Sequence, residues 1–507
     1  MRSRLLLSVF CLLLFVTKNV HGADTILKHV VVYDGSGKKP FKADVRIKGD
    51  RIVAIAKTLT PQLGETVRDE HGLALAPGFI DMHSHHDRGI FDDLDAEAVT
   101  RQGVTTVFVG QDGGSNFPIA DFFSHLERTP AAVNFASMVG HATLRKQVMG
   151  KDLYRPATSQ EIERMKELLG RELHAGAFGL SSGLEYEDGH FATTEEMIEL
   201  AKVAKAHGGF YISHVRDEAN KVFDSYDEIT RIGREGKLPV EISHIKLAST
   251  SVWHKANTRM PDVFAKAERE GVDLKADVYP YTYWSSTLRV LVTDRDFFNA
   301  EKVSQAISDN GGPANLRISL YKPEPGMAGR TLDEIAASWK ISPADAYMRM
   351  IKSTESEVST GEEQEGVLGT SMSDDDLSWF IANPRVMFCS DGELHGEHPR
   401  GAGSFPRVLG RYVREQHVLP LQSAIHKMTW MPAQQLHLKD RGRIAVGYVA
   451  DIVVFDPATI ADQSTVEHPD AAPKGIPDVM VSGVWVVEDG KVTGAHPGHV
   501  IRQNEMH

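Results

Sequence analysis

Eight short apolar segments, rich in β-branched residues, recur along the chain at nearly regular spacing. They cover residues 78–85, 105–112, 134–141, 176–183, 209–215, 239–246, 273–281 and 385–392. Helical patterns occupy the intervals, and a strand–helix repeat of roughly thirty residues is the βαβ unit. Eight such units close into a (β/α)8 barrel. The spacing therefore predicts an α/β protein built around a TIM barrel.

The clearest helical pattern lies between the fourth and fifth segments and starts at Thr193. Its apolar residues share one helical face, and Gly208 is a typical helix terminator. Thr193 and Glu196 have the spacing of a capping box, in which each side chain bonds the other residue's backbone N–H. We therefore expect a crossover helix here.

The gap between the seventh and eighth segments is too long for a single crossover helix. It predicts an inserted subdomain over about residues 292–380. Alternating strand patterns with glycine-rich turns precede and follow the barrel segments. These predict a small β-sandwich made from both chain ends, residues 23–75 and 432–500, around a barrel domain at 76–431.

The first 22 residues have the pattern of a secretory signal: two arginines, an apolar run from Leu5 to Val16, and a polar end at Gly22. The run is shorter than the about 20 residues that cross a bilayer. We therefore expect cleavage after Gly22 and an exported protein, periplasmic or secreted, with no membrane association once the signal is removed.

The formal net charge is −13, and removal of residues 1–22 takes away three basic residues and no acid, which lowers it to −16. Such a charge argues against nucleic acid as a partner. Of the two cysteines, only Cys389 would remain after cleavage, so we expect no internal disulfide.

Metal-binding residue types stand at the ends of five of the eight segments. In a TIM barrel these ends form the active-site face. The residues are His83 and His85 on the first segment, Asp112 on the second, His214 on the fifth, His244 on the sixth and Asp391 on the eighth.

Imidazole and carboxylate ligands suit zinc, which lowers the pKa of bound water. The set exceeds the needs of one tetrahedral ion, so it predicts one or two Zn²⁺ ions, with another divalent metal as the alternative. Asp112, beside a glycine pair, has two interpretations. It is either a turn residue that bonds nearby backbone N–H groups or a bridging metal ligand, and we predict the ligand.

Several longer motifs carry a family resemblance, which runs from about residue 25 to 495. They include "APGFIDMHSHHD", "GVTTVFVGQDG", "GLSSGLEYEDG", "YISHVRDE", "EISHIKLA", "ADVYPYTYWSSTL" and "CSDGELHGEHPRGAGSFPRVLGRYVRE". Together they resemble the amidohydrolase superfamily and, within it, the N-acyl-D-amino-acid deacylase (D-aminoacylase) family. The resemblance implies the metal-bearing barrel, the terminal β-sandwich and the inserted subdomain.

The resemblance also implies residue roles. His83 and His85 match ligands of a first metal, and His214 and His244 match ligands of a second. Asp391 matches the general base that takes a proton from the attacking water and delivers it to the leaving amine.

Substrate-binding roles follow in the same way. Lys246, Tyr279 and Ser285 match positions that hold the substrate carboxylate and scissile carbonyl, and Tyr186 matches a pocket wall.

Two departures from the family pattern concern the metal and the substrate. Asp112 stands where relatives have cysteine in a "GNCG"-like turn, a change to a harder oxygen ligand. Tyr283 and Trp284 follow "YPYT", where relatives have a small pair, and their rings are expected to fill the pocket or stack on a ligand.

The resemblance implies a metal-dependent amide hydrolase that removes the acyl group from N-acyl-D-amino acids. Its substrate would be a small N-acyl amino acid or related amide. The alternatives are a dipeptidase, cyclic-imide hydrolase or lactonase of the same superfamily, and a non-catalytic binding protein. Lys246 argues against a substrate without an anion, and Asp391 argues against a mere binder. The oligomeric state, the acyl group and the side chain preferred stay open.

Overall fold

The computed structural model describes residues 24–354 and 364–505, so the predicted signal at 1–22 lies outside it. The strands, in chain order, are β1 (Thr25–Val32), β2 (Phe41–Lys48), β3 (Arg51–Ala56), β4 (Thr66–Asp69), β5 (Ala74–Pro77), β6 (Phe79–Asp81), β7 (Val104–Val109), β8 (Asn134–Ser137), β9 (Val139–Gly140), β10 (Gly179–Gly183), β11 (Phe210–His214), β12 (Val240–Ile242), β13 (Leu274–Val278), β14 (Tyr283–Ser286), β15 (Leu316–Tyr321), β16 (Glu365–Thr370), β17 (Val386–Phe388), β18 (Ile452–Phe455), β19 (Asp478–Val481), β20 (Val484–Glu488) and β21 (Lys491–Val492).

The α-helices are α1 (Glu97–Thr100), α2 (Ile119–Arg128), α3 (His141–Met149), α4 (Ser159–His174), α5 (Glu187–His190), α6 (Thr194–Ala206), α7 (Val222–Gly236), α8 (Ala256–Arg269), α9 (Ala300–Asp309), α10 (Leu332–Trp339), α11 (Pro343–Thr354), α12 (Asp374–Ala382), α13 (Arg400–Arg407), α14 (Leu421–Met428) and α15 (Trp430–Gln435). Short 3-10 helices cover Leu288–Leu291, Pro313–Asn315, Pro325–Met327 and Gln503–Glu505, and a π-helical stretch, Val408–Glu415, follows α13. Within the described part of the chain, no helix is both long and apolar enough to cross a membrane.

All eight predicted segments contain strands of a parallel barrel. Pairing runs β6–β7–β8 and β9–β10–β11–β12–β13–β17, with Met138 between β8 and β9. The first and eighth strands meet through backbone bonds, because Asp391 N donates to His83 O and His85 N donates to Gly392 O, both at 2.8 Å. The predicted (β/α)8 fold is therefore confirmed.

The predicted crossover helix is α6, and its N-terminus differs from the expected capping box in one respect. The Thr193 hydroxyl accepts from Glu196 N at 3.1 Å, as expected. The Glu196 carboxylate instead turns inward to Arg145, at 2.7 and 2.8 Å, and to His141, at 2.9 Å. A fully buried guanidinium requires a paired anion, and this need outweighs the local cap.

The two chain ends share one β-sheet, in the order β21–β20–β19–β18–β5–β1–β2–β3, with β4 on β1. The N-terminal and C-terminal parts join where β5 pairs with β18 in antiparallel register, from Pro77 opposite Ile452 to Ala74 opposite Phe455. After β21 the chain returns to the barrel, and Ile501 N donates to Phe135 O at 2.8 Å. The boundaries 23–75 and 432–500 stay a prediction.

The inserted subdomain has a three-stranded antiparallel sheet, β14–β16–β15, with α9 to α11 and an apolar core of its own. This core already includes Trp284, whereas Leu377 and Phe380 of α12 belong to the barrel core. The compact insertion thus begins before residue 292 and ends before 380. Side-chain burial decides these limits, and it is not visible in the strand spacing.

Candidate metal centre

The six predicted ligands converge at the C-terminal end of the barrel. His83 and His85 follow the end of β6, and Asp112 follows the end of β7. His214 is the last residue of β11, while His244 and Asp391 follow β12 and β17. One ligand atom from each of His83, Asp112, His244 and Asp391 falls within 4.8 Å of the others.

The first donor set faces one oxygen of Asp112. Asp112 Oδ2 lies 3.4 Å from His83 Nε2 and 3.3 Å from His85 Nε2. Asp391 Oδ1 lies 3.5 and 3.3 Å from the same two nitrogens. Ligand bonds of about 2.0–2.2 Å in a tetrahedral arrangement separate ligand atoms by about 3.3–3.5 Å, so these spacings fit a shared zinc ion.

The second donor set faces the other oxygen of Asp112. Asp112 Oδ1 lies 3.4 Å from His244 Nε2, and His214 Nδ1 lies 3.1 Å from that same nitrogen. One oxygen of the carboxylate therefore faces His83 and His85, and the other faces His244, beside which His214 lies. This is the geometry of a bridging side chain, and it differs from a turn aspartate that bonds backbone N–H groups.

Buried atoms without hydrogen-bond partners test whether these residues suit a metal. Among the described residues, His83 Nε2, Asp112 Oδ1 and Asp391 Oδ1 are buried and lack such partners. An unsatisfied buried polar atom costs about 1–3 kcal/mol, and three that converge on one place indicate a cation-binding site. The donor set therefore fits one or two divalent ions.

Backbone conformation and electrostatics agree with this interpretation. Asp112, His244 and Asp391 have φ values of +54°, +33° and +49°, a region that costs a non-glycine residue about 1–2 kcal/mol. Burial and Arg88 lower the pKa of His85, yet Asp112 and Asp391 raise it to about 9. The two carboxylates thus stabilise positive charge at the site.

Three further polar residues, which sequence reasoning did not single out, contact the predicted ligands. Glu185 Oε2 accepts from His214 Nε2 at 2.9 Å, and Arg400 Nη1 lies 2.6 Å from Asp391 Oδ2. Glu218 Oε1 lies 3.2 Å from His244 Nδ1. All three stand in the motifs that carry the family resemblance, but the motifs alone do not specify their contacts.

Glu218 also holds the predicted substrate-binding lysine. Both of its carboxylate oxygens accept from Lys246 Nζ at 2.8 Å, and burial places this ion pair out of solvent. His214, Glu218 and His244 could form a metal-binding group of their own. Because Lys246 occupies both Glu218 oxygens, we assign Glu218 to the lysine.

The four predicted substrate residues line one cavity, together with Arg400. Lys246 Nζ and Arg400 Cζ lie 5.7 and 4.9 Å from the centre of the Tyr279 ring, and the Tyr186 ring is 4.3 Å from that of His214. A larger polar cleft shares Tyr186, Ser285, Asp391 and Arg400 with the cavity. The two spaces meet beside the donor sets.

The Glu185→Gln variant is expected to bind zinc about 10- to 100-fold more weakly, because a carboxylate that accepts from a ligating imidazole fixes its orientation. Titration against a competing chelator measures this change. Glu187→Gln is the matched control, since Glu187 contacts Tyr154 and Arg289 instead. Equal affinities of the two variants would contradict the orienting role of Glu185.

Comparison with known proteins identifies the family. The profile of the amidohydrolase family matches residues 66–294 and 373–487. The chain belongs to the amidohydrolase family. The unmatched interval between the two matched regions contains most of the inserted subdomain.

Relatives within the amidohydrolases narrow the group to the D-aminoacylases. D-aminoacylase of Alcaligenes xylosoxydans xylosoxydans is 37% identical, over 94% of this chain and 97% of that protein. N-acyl-D-glutamate deacylase of the same organism is 34% identical, over 95% and 97%. The family predicted from the sequence motifs is therefore confirmed.

Solved structures of this group superimpose over nearly the whole chain. A crystal structure of D-aminoacylase has a TM-score of 0.83 and 35% identity, and covers 95% of this chain and 100% of its own. N-acyl-D-glutamate deacylase of Bordetella bronchiseptica, complexed with zinc and a phosphonate that mimics the tetrahedral intermediate, has the same TM-score and coverage at 31% identity. Zinc is thus the metal of a close structural relative.

Proposed function

We propose that this protein is a metal-dependent hydrolase that removes the acyl group from N-acyl-D-amino acids. The observation that carries the proposal is the placement of Asp112 between two donor sets, beside a cavity with two cationic side chains. Named relatives with this activity, at 34–37% identity, support it.

The two donor sets support a proposal for the metal ligands. His83, His85 and Asp391 would hold one ion, His214 and His244 the other, and Asp112 both. When bound, zinc or another divalent metal activates water and polarises the scissile carbonyl.

Asp391 is proposed as the proton carrier. Burial opposes its charge, but Arg400 and His244 hold its pKa well below the usual range, so it is ionised at neutral pH. An ionised carboxylate beside the reacting groups can take a proton from the attacking water. It then delivers this proton to the leaving amine.

The substrate carboxylate is proposed to bind the cations of the cavity. The Lys246→Ala variant is expected to weaken the binding of anionic substrates by about 1.5–3 kcal/mol, the contribution of a hydrogen bond to a charged group. An uncharged amide analogue should change little, and Lys246→Arg, which keeps the charge, is the matched control. Values of kcat/KM for both substrates measure the effect. Because Lys246 is paired with Glu218, equal losses on both substrates would assign it a structural role.

A substrate screen tests the proposed function. Zinc-loaded protein is incubated with matched N-acetyl-D- and N-acetyl-L-amino acids and with a cyclic imide. We expect hydrolysis of D amides. Turnover of only L amides or only the imide would contradict the proposal.

The export of the protein is part of the proposal. Two arginines and the apolar run from Leu5 to Val16 support a cleaved signal. A net charge of −13 supports a small-molecule substrate over nucleic acid. Cell fractionation and the N-terminal mass of the mature protein test the location.

A further inference from the structure

The cavity lined by Lys246, Arg400 and Tyr279 combines the two cationic residues with an apolar wall. Its charged lining consists of Lys246, Arg400 and the carboxylates of Glu185, Glu218 and Asp391, besides the histidines of the metal centre. The apolar lining consists of Ala219, Ala248, Trp284, Val290 and Leu291. An amino-acid substrate that places its carboxylate on the cations would therefore have apolar groups within reach of its side chain.

Trp284 forms a firm part of this wall. Its side chain is buried, and it lies opposite Gly369 in the pairing of β14 with β16. A Cβ at Gly369 would come within 2.5 Å of the indole, so the ring occupies the space that the glycine leaves. Tyr283 instead stacks on His398, with ring centres 4.5 Å apart. Of the two aromatic residues that replace a small pair, Trp284 lines the cavity.

The cations of this cavity are already committed to other groups. Lys246 binds both oxygens of Glu218, and Arg400 binds Asp391. A substrate carboxylate can share these cations, but they serve the α-carboxylate that every N-acyl amino acid carries.

The two arginines that follow β14 have partners outside the cavity lining. Arg289 Nε lies 3.2 Å from a Glu365 carboxylate oxygen. Arg295 Nη1 donates to the backbone oxygens of Arg289, at 2.9 Å, and Val292, at 3.4 Å. The connection after β14 thus presents Val290 and Leu291 to the cavity, and neither Arg289 nor Arg295 is among the residues that line it.

We infer that the cavity binds D-amino acids with apolar side chains in preference to D-amino acids with acidic side chains. This inference rests on the proposed function. A second carboxylate would lie against Trp284, Val290 and Leu291 without a cation of its own, and burial of an unpaired charge is strongly unfavourable. Sequence identity does not distinguish these side-chain preferences, because this chain is 37% identical to D-aminoacylase and 34% identical to each of the D-glutamate and D-aspartate deacylases. The inference therefore rests on the residues that line the cavity.

The first test uses the wild-type holoenzyme and four N-acetyl-D-amino acids: leucine, glutamine, glutamate and aspartate. Glutamine has nearly the shape of glutamate without the charge, so the pair isolates the effect of charge. We expect kcat/KM for leucine to exceed that for glutamate and aspartate at least about tenfold, with glutamine above glutamate. Calorimetric binding of free D-leucine and D-glutamate should follow the same order.

Two opposite results have distinct meanings. Faster hydrolysis of N-acetyl-D-glutamate or N-acetyl-D-aspartate than of N-acetyl-D-leucine would overturn the inference and support the proposed function. Failure of a folded, metal-loaded protein to hydrolyse any of the four would contradict the proposed function, and the inference with it.

A charge introduced into the wall provides the second test. Val290 is only partly buried, so it tolerates a longer side chain. Val290→Lys should raise the ratio of kcat/KM for glutamate to that for leucine at least about tenfold relative to Val290→Met, a neutral control of similar length. The same ratio in both folded variants would show that the substrate side chain does not reach this wall.

Discussion

The Asp391→Asn variant is expected to lower kcat at least about 100-fold, the scale of losing a general acid–base group. An amide cannot accept the proton of the attacking water, yet it keeps an oxygen that can face His83 and His85, which lie 3.5 and 3.3 Å from Asp391 Oδ1. Metal content should therefore fall much less than kcat. Steady-state kinetics and elemental analysis of the same preparation measure both.

A control and a contradicting result complete this prediction. Asp374→Asn changes an exposed acid at the start of α12 and should leave both values near wild type. Near-normal kcat in a folded Asp391→Asn protein would remove Asp391 from the proton-transfer steps.

The Asp112→Asn variant is expected to lower metal affinity by more than about 100-fold. Loss of a residue that only hydrogen-bonds a metal ligand typically lowers this affinity by about 10- to 100-fold. The substitution removes the negative charge between two sets of histidines, where two cations would lie close together. A turn aspartate would tolerate the change, because asparagine keeps the acceptor oxygen. Metal stoichiometry against wild type decides between the two roles.

Asp112→Cys is the matched variant for this position. The family pattern has cysteine in the equivalent turn, so a thiolate there should restore metal binding that Asp112→Asn loses. Unchanged stoichiometry and activity in Asp112→Asn would return Asp112 to the turn interpretation.

Much of the barrel was predictable because its signals are local. Each strand is a short apolar run, and parallel strands place their C-terminal ends at one face. His83 and His85, two residues apart, are therefore predicted to point to the same face, and residues that follow other strands are predicted to lie near them. The structure brings all six predicted ligands together on this basis.

Other features depend on contacts between distant parts of the chain. Glu196 has the spacing of a capping box, but its side chain pairs with Arg145, 51 residues away. The limits of the inserted subdomain follow from whether α12 packs on the barrel or on the insertion core. No local pattern reports such a choice.

The sequence by itself determined the barrel, the strand ends that carry the ligands and the family of this protein, because periodicity and motifs are properties of short segments. Only the tertiary structure decided that the two oxygens of Asp112 face different histidines, that Arg400 binds Asp391, and that the Trp284 indole fits over Gly369. These contacts depend on side-chain rotamers and on how distant segments pack. The metal-binding residue types were therefore readable from the sequence, whereas the shape and charge of the substrate cavity were not.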